Sequence, residues 1–126
     1  MLTEGTLLKT LSRYQGPVIF MYLCEAHAAD SWPLSTKAPQ NHRTLEERIR
    51  AAKAFMQTWP ALREVVHNVV VEEMDNALTM SLGLWPERFL DLEDGEVQWA
   101  SSFKDAEPAQ MNRELASELE DALSID

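Results

Sequence analysis

Gly16-Pro17-Val18-Ile19-Phe20-Met21-Tyr22-Leu23-Cys24 sets the architecture of this chain. Gly16-Pro17 breaks the preceding segment, and Pro17 to Cys24 is a continuous apolar run. A run of this length bounded by a turn predicts a central strand buried on both faces. It opens onto Glu25-Ala26-His27-Ala28-Ala29-Asp30-Ser31-Trp32. Acid–base side chains thus stand at the mouth of a strand, beside apolar surface. Surroundings of that kind perturb pKa values and support chemistry.

Upstream, Leu2, Leu7, Leu8, Leu11 and Tyr14 recur at helical spacing over Leu2 to Tyr14. Downstream, residues 28 to 43 hold Ser31, Pro33, Ser35, Pro39 and Asn41 without a clear period, the composition of a long functional loop. Thr44-Leu45-Glu46-Glu47 matches a capping box. The stripe Leu45, Ile49, Ala52, Phe55 and Met56 carries the helix behind it to about Thr58, before Pro60. Val65 to Val71 predicts a second buried strand, and Asp75 or Asn76 a cap for a short helix through Leu82. Phe89 to Leu92, Asp94-Gly95 and Val97 to Trp99 predict a hairpin. Residues 107 to 124 predict a last helix, with Pro108 in its first turn.

A helical crossover between the two apolar runs implies parallel pairing, and the hairpin adds antiparallel strands. The expected fold is therefore α/β, a mixed sheet flanked by helices. A length of 126 residues fits one domain, 1–126.

The net charge of −10 argues against nucleic acid or an anionic membrane as partner, since both select clustered Lys and Arg. No apolar run approaches the ~20 residues that span a bilayer, and the first residues lack the layout of a signal peptide. Cys24 is the only cysteine, so no internal disulfide framework forms. These features together give a cytoplasmic expectation.

Glu25 and His27 are two apart, so strand geometry would turn both to one face. On the residues alone they are either a solvated strand-end pair or a proton-transfer pair. His42 precedes the Thr44 capping box and alone reads as a loop residue. His67, at the start of the second run, packs or caps an edge. Cys24, His27, Asp30 and His42 make only a fragmentary zinc pattern, and no metal is expected. Cys24 reads as a small buried hydrophobe.

Four blocks resemble one family. Tyr22-Leu23-Cys24-Glu25-Ala26-His27-Ala28-Ala29-Asp30-Ser31-Trp32 resembles the Tyr-Ile-Glu-Glu-Ala-His-x-x-Asp-Gly-Trp segment of the iodothyronine deiodinases. Asn41-His42-Arg43-Thr44-Leu45-Glu46-Glu47-Arg48 with Ala51-Ala52 is similar to that family's second histidine block. Val69-Val70-Val71-Glu72-Glu73-Met74-Asp75-Asn76 and Pro86-Glu87-Arg88-Phe89 resemble two more, in the same order. The resemblance implies a thioredoxin-like fold whose first strand is missing or truncated. It implies reductive removal of iodine from iodinated phenols such as thyroid hormones, driven by a thiol reductant with no bound cofactor. It also implies a homodimer.

For Glu25, His27 and His42 the resemblance implies proton relay and orientation of the ring hydroxyl. It implies substrate-side roles for Trp32, Trp85, Pro86 and Arg88. Pro86 stands where thioredoxin-like folds carry a cis-proline beside the active site, and Trp85 precedes it. Trp32 reads equally as a core aromatic, and Arg88 as a bond across the sheet edge or an ion pair with Glu87. The family's selenocysteine or cysteine nucleophile lies between its first strand and first helix. Here a helix is expected almost from Met1, so the chain is expected to lack that segment and to be inactive as it stands. A selenocysteine codon read as stop, with a restart at Met1, would produce this layout. Cys24 falls where the family has the first Glu of its pair and is not a substitute. Ala100-Ser101-Ser102-Phe103-Lys104 also departs from the family's Gly-Gly-x-Gly-Pro stretch. The rival expectation is a non-catalytic binding or dimerisation module.

Overall fold

The computed structural model describes residues 5–24, 41–84, 88–102 and 108–125. Their elements are α1 (Gly5–Arg13), β1 (Ile19–Tyr22), α2 (Leu45–Thr58), α3 (Pro60–Val65), β2 (Asn68–Val71), α4 (Ala77–Leu82), β3 (Leu90–Glu93), β4 (Glu96–Ala100) and α5 (Pro108–Ala122). This is the α/β mixture of helices and small sheets expected for a thioredoxin-like chain. The chain divides into two compact units. One comprises Met1–Val18, Trp59–His67 and Arg88–Asp126, the other Ile19–Thr58 and Asn68–Glu87.

In the second unit β1 and β2 pair in parallel, with Ile19 opposite Asn68 and Tyr22 opposite Val71. Phe20 and Tyr22, two apart on β1, share one face. Both rings pack on Phe55 of α2, with centroids 5.6 and 5.8 Å away. The expectation of a strand buried on both faces is corrected here. Ile19 is 61% exposed, and Phe20 to Tyr22 are half-buried. The reason is that the described ladder holds two strands, and the aromatic face of β1 is the one α2 meets.

The second strand is also shorter than the apolar run Val65–Val71, because Pro60 opens a helix as well as ending one. A proline has no N–H to lose in a first turn, and its fixed φ suits N1. α3 thus takes the segment through Val65, closing with a bond from Val66 N–H to the Leu62 carbonyl.

In the first unit α1 packs on α5 and α3. Leu7 and Leu11 lie one turn apart on α1 and meet Leu115, Ala116 and Leu119 of α5, all 5% exposed or less. Val65, Phe89, Trp99, Met111 and Leu123 close around them. Arg13 pairs with Glu120 at 2.6 Å, but both side chains are more than a third exposed, so the pair contributes under about 1 kcal/mol. Val18 and His67 are tied reciprocally. The His67 N–H donates to the Val18 carbonyl at 2.7 Å, and the Val18 N–H donates to His67 Nδ1 at 3.0 Å. His67 therefore caps an edge, as its position in the sequence suggests.

The hairpin β3–β4 turns on Asp94 and Gly95, with φ of 51° and 78°. Two consecutive positive φ values match the right-handed twist of the flanking strands, which is why Asp-Gly occupies the turn.

The α1–α5 contact carries most of this unit's apolar burial. Leu119→Ala is expected to cost about 3 kcal/mol, the usual range for a closed core site. Leu92→Ala, on a side chain 60% exposed, is expected to cost less than about 0.5 kcal/mol. Urea unfolding of the two variants checks the difference.

Candidate active site

The site assembles around His42, just ahead of α2. Thr44 caps that helix: Glu47 N–H donates to Thr44 Oγ1 at 3.1 Å, and the Glu47 carboxylate accepts from Arg43 N–H at 2.7 Å. This is the expected capping box, with its return bond moved one residue outward. The box fixes where the chain enters the helix, and so where His42 stands. The His42 N–H donates to Asn41 Oδ1 at 3.0 Å. Its ring lies 5.6 Å from that of Tyr22, so it continues the aromatic row Phe20–Phe55–Tyr22.

His42 Nδ1 accepts a hydrogen bond from Arg48 Nε at 3.2 Å. Arg48 is 1% exposed, the most deeply buried ionisable side chain among the described residues. Its Nη1 donates to the carbonyls of Glu72 and Glu73 and to Asn76 Oδ1, each at 3.0 Å. Two protons thus serve three acceptors. Among the described residues no carboxylate oxygen lies within 4 Å of the guanidinium, and neutral acceptors, three carbonyl oxygens and the His42 imidazole, solvate it at close range.

Glu72 extends the network. It is 3% exposed, and its carboxylate accepts from Thr79 N–H at 2.7 Å and from the Thr79 hydroxyl. That satisfies donors in the first turn of α4. Asp75 Oδ1 takes the Ala77 N–H at 3.1 Å. Asn76 sits at the N-cap with φ of 54° but makes no side-chain cap bond, because its amide oxygen is turned to Arg48. Of the two caps expected for α4, Asp75 does the local work.

Beside His42 lies an open depression of about 440 Å³, lined by Asn41, His42, Arg43, Glu47, Arg50 and Ala51. Two arginines against one glutamate make it locally cationic, although the whole chain carries −10. Cys24, just past β1, is half-buried. Among the described residues no helix is long and apolar enough to cross a membrane.

Of the residues singled out in the sequence, Glu25, His27, Trp32, Trp85 and Pro86 lie outside the described residues. His42 and Arg88 are described, in different units. Arg88 is exposed, and its Nε donates to the Ser101 carbonyl at 2.9 Å. Ser101, 2% exposed, also exchanges bonds with the Phe89 backbone through its own N–H and hydroxyl. Arg88 therefore makes the bond across the sheet edge that its position allowed. Arg48, Glu72 and Asn76 were missed as site residues. The available signal was Arg48 itself, a charge one turn from Ala52 on the helix face that also carries Ile49 and Met56.

Residues 7–114 match the sequence profile of the family described as iodothyronine deiodinase. The chain belongs to the iodothyronine deiodinase family. It is 34% identical over 80 residues to the type I iodothyronine deiodinase of Xenopus laevis, covering 63% of this chain and 30% of that protein. It is 35% identical over 94 residues to the thyroxine 5-deiodinase of Sparus aurata, covering 71% and 33%. With the human thyroxine 5-deiodinase the identity is 29% over 96 residues, covering 72% and 30%. The chain spans about a third of the length of these curated relatives. All four blocks that carry the deiodinase resemblance fall inside the matched residues.

Removing the Arg48 side chain would strand four acceptors in a buried setting. Arg48→Leu is expected to cost about 3 kcal/mol, since unpaired buried acceptors cost about 1–3 kcal/mol each before relaxation. Lys53→Leu, exposed on the same helix, is expected to change stability by less than about 0.5 kcal/mol. Chemical denaturation of both variants measures the contrast.

Proposed function

We propose that this chain carries the substrate-orienting and proton-handling part of a deiodinase-like reductive dehalogenation of iodinated phenols. The observation that supports this most directly is His42 beside Tyr22 at a locally cationic depression, in a chain matched to the family over residues 7–114. Iodine ortho to a phenolic hydroxyl withdraws electron density and acidifies it, and with both ortho positions iodinated a substantial share of the substrate is phenolate at neutral pH. Arg43 and Arg50 suit that charge. The imidazole of His42 suits a bond to the ring oxygen or the proton delivery that follows.

The chemistry sets what else is required. A soft nucleophile takes iodine as I⁺, using its own electron pair. The ring carbon keeps the C–I bonding pair and accepts a proton. A thiol then displaces iodide from the nucleophile, and a second thiol restores it, so two thiols supply the two electrons. A reducing, cytoplasmic setting provides them. Glu25 and His27 are the remaining proton carriers in this proposal, with Trp32, Trp85, Pro86 and Arg88 on the substrate side.

The one thiol in these 126 residues, Cys24, is half-buried at the end of β1, which does not suit attack on an aryl iodide. We therefore propose that these residues bind and orient but do not turn over by themselves. A second reading, a non-catalytic module that self-associates, draws on the exposure of Ile19 (61%) and Val69 (38%) on the β1–β2 pair.

With dithiothreitol and 2,6-diiodophenol, the chain is expected to release iodide no faster than the thiol alone. Release that Cys24→Ser abolishes would relocate the nucleophile to this strand end. Titration with 2,6-diiodophenol is expected to shift the amide resonances of 41–51, and His42→Ala to weaken binding roughly tenfold, the scale of one lost hydrogen bond in a partly buried site. Undisturbed resonances there would end the binding proposal. Light scattering across a concentration series reads the self-association alternative: a constant monomer mass removes it.

A further inference from the structure

Arg48 makes one contact whose chemistry is unambiguous. An arginine Nε can only donate, so a hydrogen bond from Arg48 Nε to His42 Nδ1 requires a lone pair on Nδ1. The imidazole proton must then sit on Nε2. We propose that Arg48 is a positioning residue that locks His42 as the neutral Nε2–H tautomer and fixes the plane of its ring.

The geometry supports a lock better than a passing contact. The guanidinium is planar and its fork is rigid. Three bonds of 3.0 Å from Nη1, to Glu72 O, Glu73 O and Asn76 Oδ1, hold it from the side facing away from His42. With Nη1 fixed, the direction of the Nε–H vector is fixed, and the bond to Nδ1 at 3.2 Å follows from it. The ring is held on another face by Tyr22. Protonating Nδ1 would break the bond and set two cations together, an arrangement a buried site resists. Among the described residues, the other ionisable groups around the ring are Tyr22 on β1 and, along the depression, Arg43, Glu47 and Arg50. Glu72 and Glu73 lie behind Arg48, and neither carboxylate is within 4 Å of the guanidinium.

The consequence for chemistry rests on the proposed reaction. His42 Nε2 is shielded from solvent. A proton held there passes to a bonded group rather than to bulk water, and its donor direction is set before substrate arrives. That is the pre-organisation a proton-handling residue needs. Arg48 acts on the reaction only through His42.

The test uses no ligand, so its failure is separate from failure of the phenol-binding reading. In ¹⁵N-labelled protein, long-range ¹H–¹⁵N correlation is expected to show His42 Nδ1 as a pyridine-type and Nε2 as a pyrrole-type nitrogen. The signals are assigned by their loss in His42→Gln. A coupling across the hydrogen bond between Arg48 Nε and His42 Nδ1 is expected in the unmodified chain. In Arg48→Lys, which keeps the charge but not the Nε–H, the two ring nitrogens are expected to average toward a tautomer mixture. A protonated Nδ1, or absence of the coupling, in the unmodified chain overturns the proposal even if the variant does not fold. An unchanged tautomer in folded Arg48→Lys overturns it equally.

Discussion

A guanidinium out of water is costly unless its donors are met, and Arg48 is met by main-chain carbonyls and one amide. That choice of partners organises the second unit. The carbonyls of Glu72 and Glu73 are where the chain leaves β2, and Asn76 is where it enters α4. One side chain from α2 thus sets the turn between the two. Because two of the acceptors are main-chain carbonyls, the network specifies a backbone path at residues 72 and 73 whatever side chains those positions carry. Among the described residues no carboxylate compensates the cation at close range, so its field is available to the imidazole beside it.

Glu72 shows how polar groups are distributed around that path. Its main-chain oxygen serves Arg48, while its carboxylate serves the first turn of α4 through Thr79. Acid and base are kept on separate tasks. A direct Arg48–Glu72 pair would have neutralised the guanidinium and left the N–H groups of the helix without an acceptor. Asn76 is freed for Arg48 because Asp75 and Glu72 between them meet the helix start.

Much of the fold was legible because it rests on local rules. The Thr44–Glu47 cap, the Asp94-Gly95 turn, the parallel crossover and the last helix all follow from spacing and backbone preference. Two readings went astray for identifiable reasons. An apolar run says that a segment prefers burial, but how far it is buried depends on how many neighbours pack on it, and Ile19 has few. Pro60 is punctuation with two meanings, and only the helical partners of Leu62 and Val65 reveal that it starts α3. Of the site, His42 was legible through the resemblance and Arg48 was not singled out. Nothing in its flanking residues states that its acceptors come from residues 72–76, because that pairing exists only once β2 and α2 are side by side. Arg88 illustrates the reverse case, a residue for which the bond across the sheet edge was one of the readings its position allowed.

The core formed by Leu7 and Leu11 with Leu115 and Leu119 joins segments far apart in sequence, as does the Thr10–Glu120 bond at a separation of 110 residues. Closing so large a loop is slow, since chain entropy is spent before any contact repays it. On the ribosome α1 emerges before α5, and its leucines wait without these partners until α5 is made. The Phe20–Phe55 stack and the Arg48 contacts need only residues up to 76, so the unit bearing His42 can assemble while the other is still incomplete. Biosynthesis would then expose the apolar face of α1 until α5 is made, a natural handle for a chaperone.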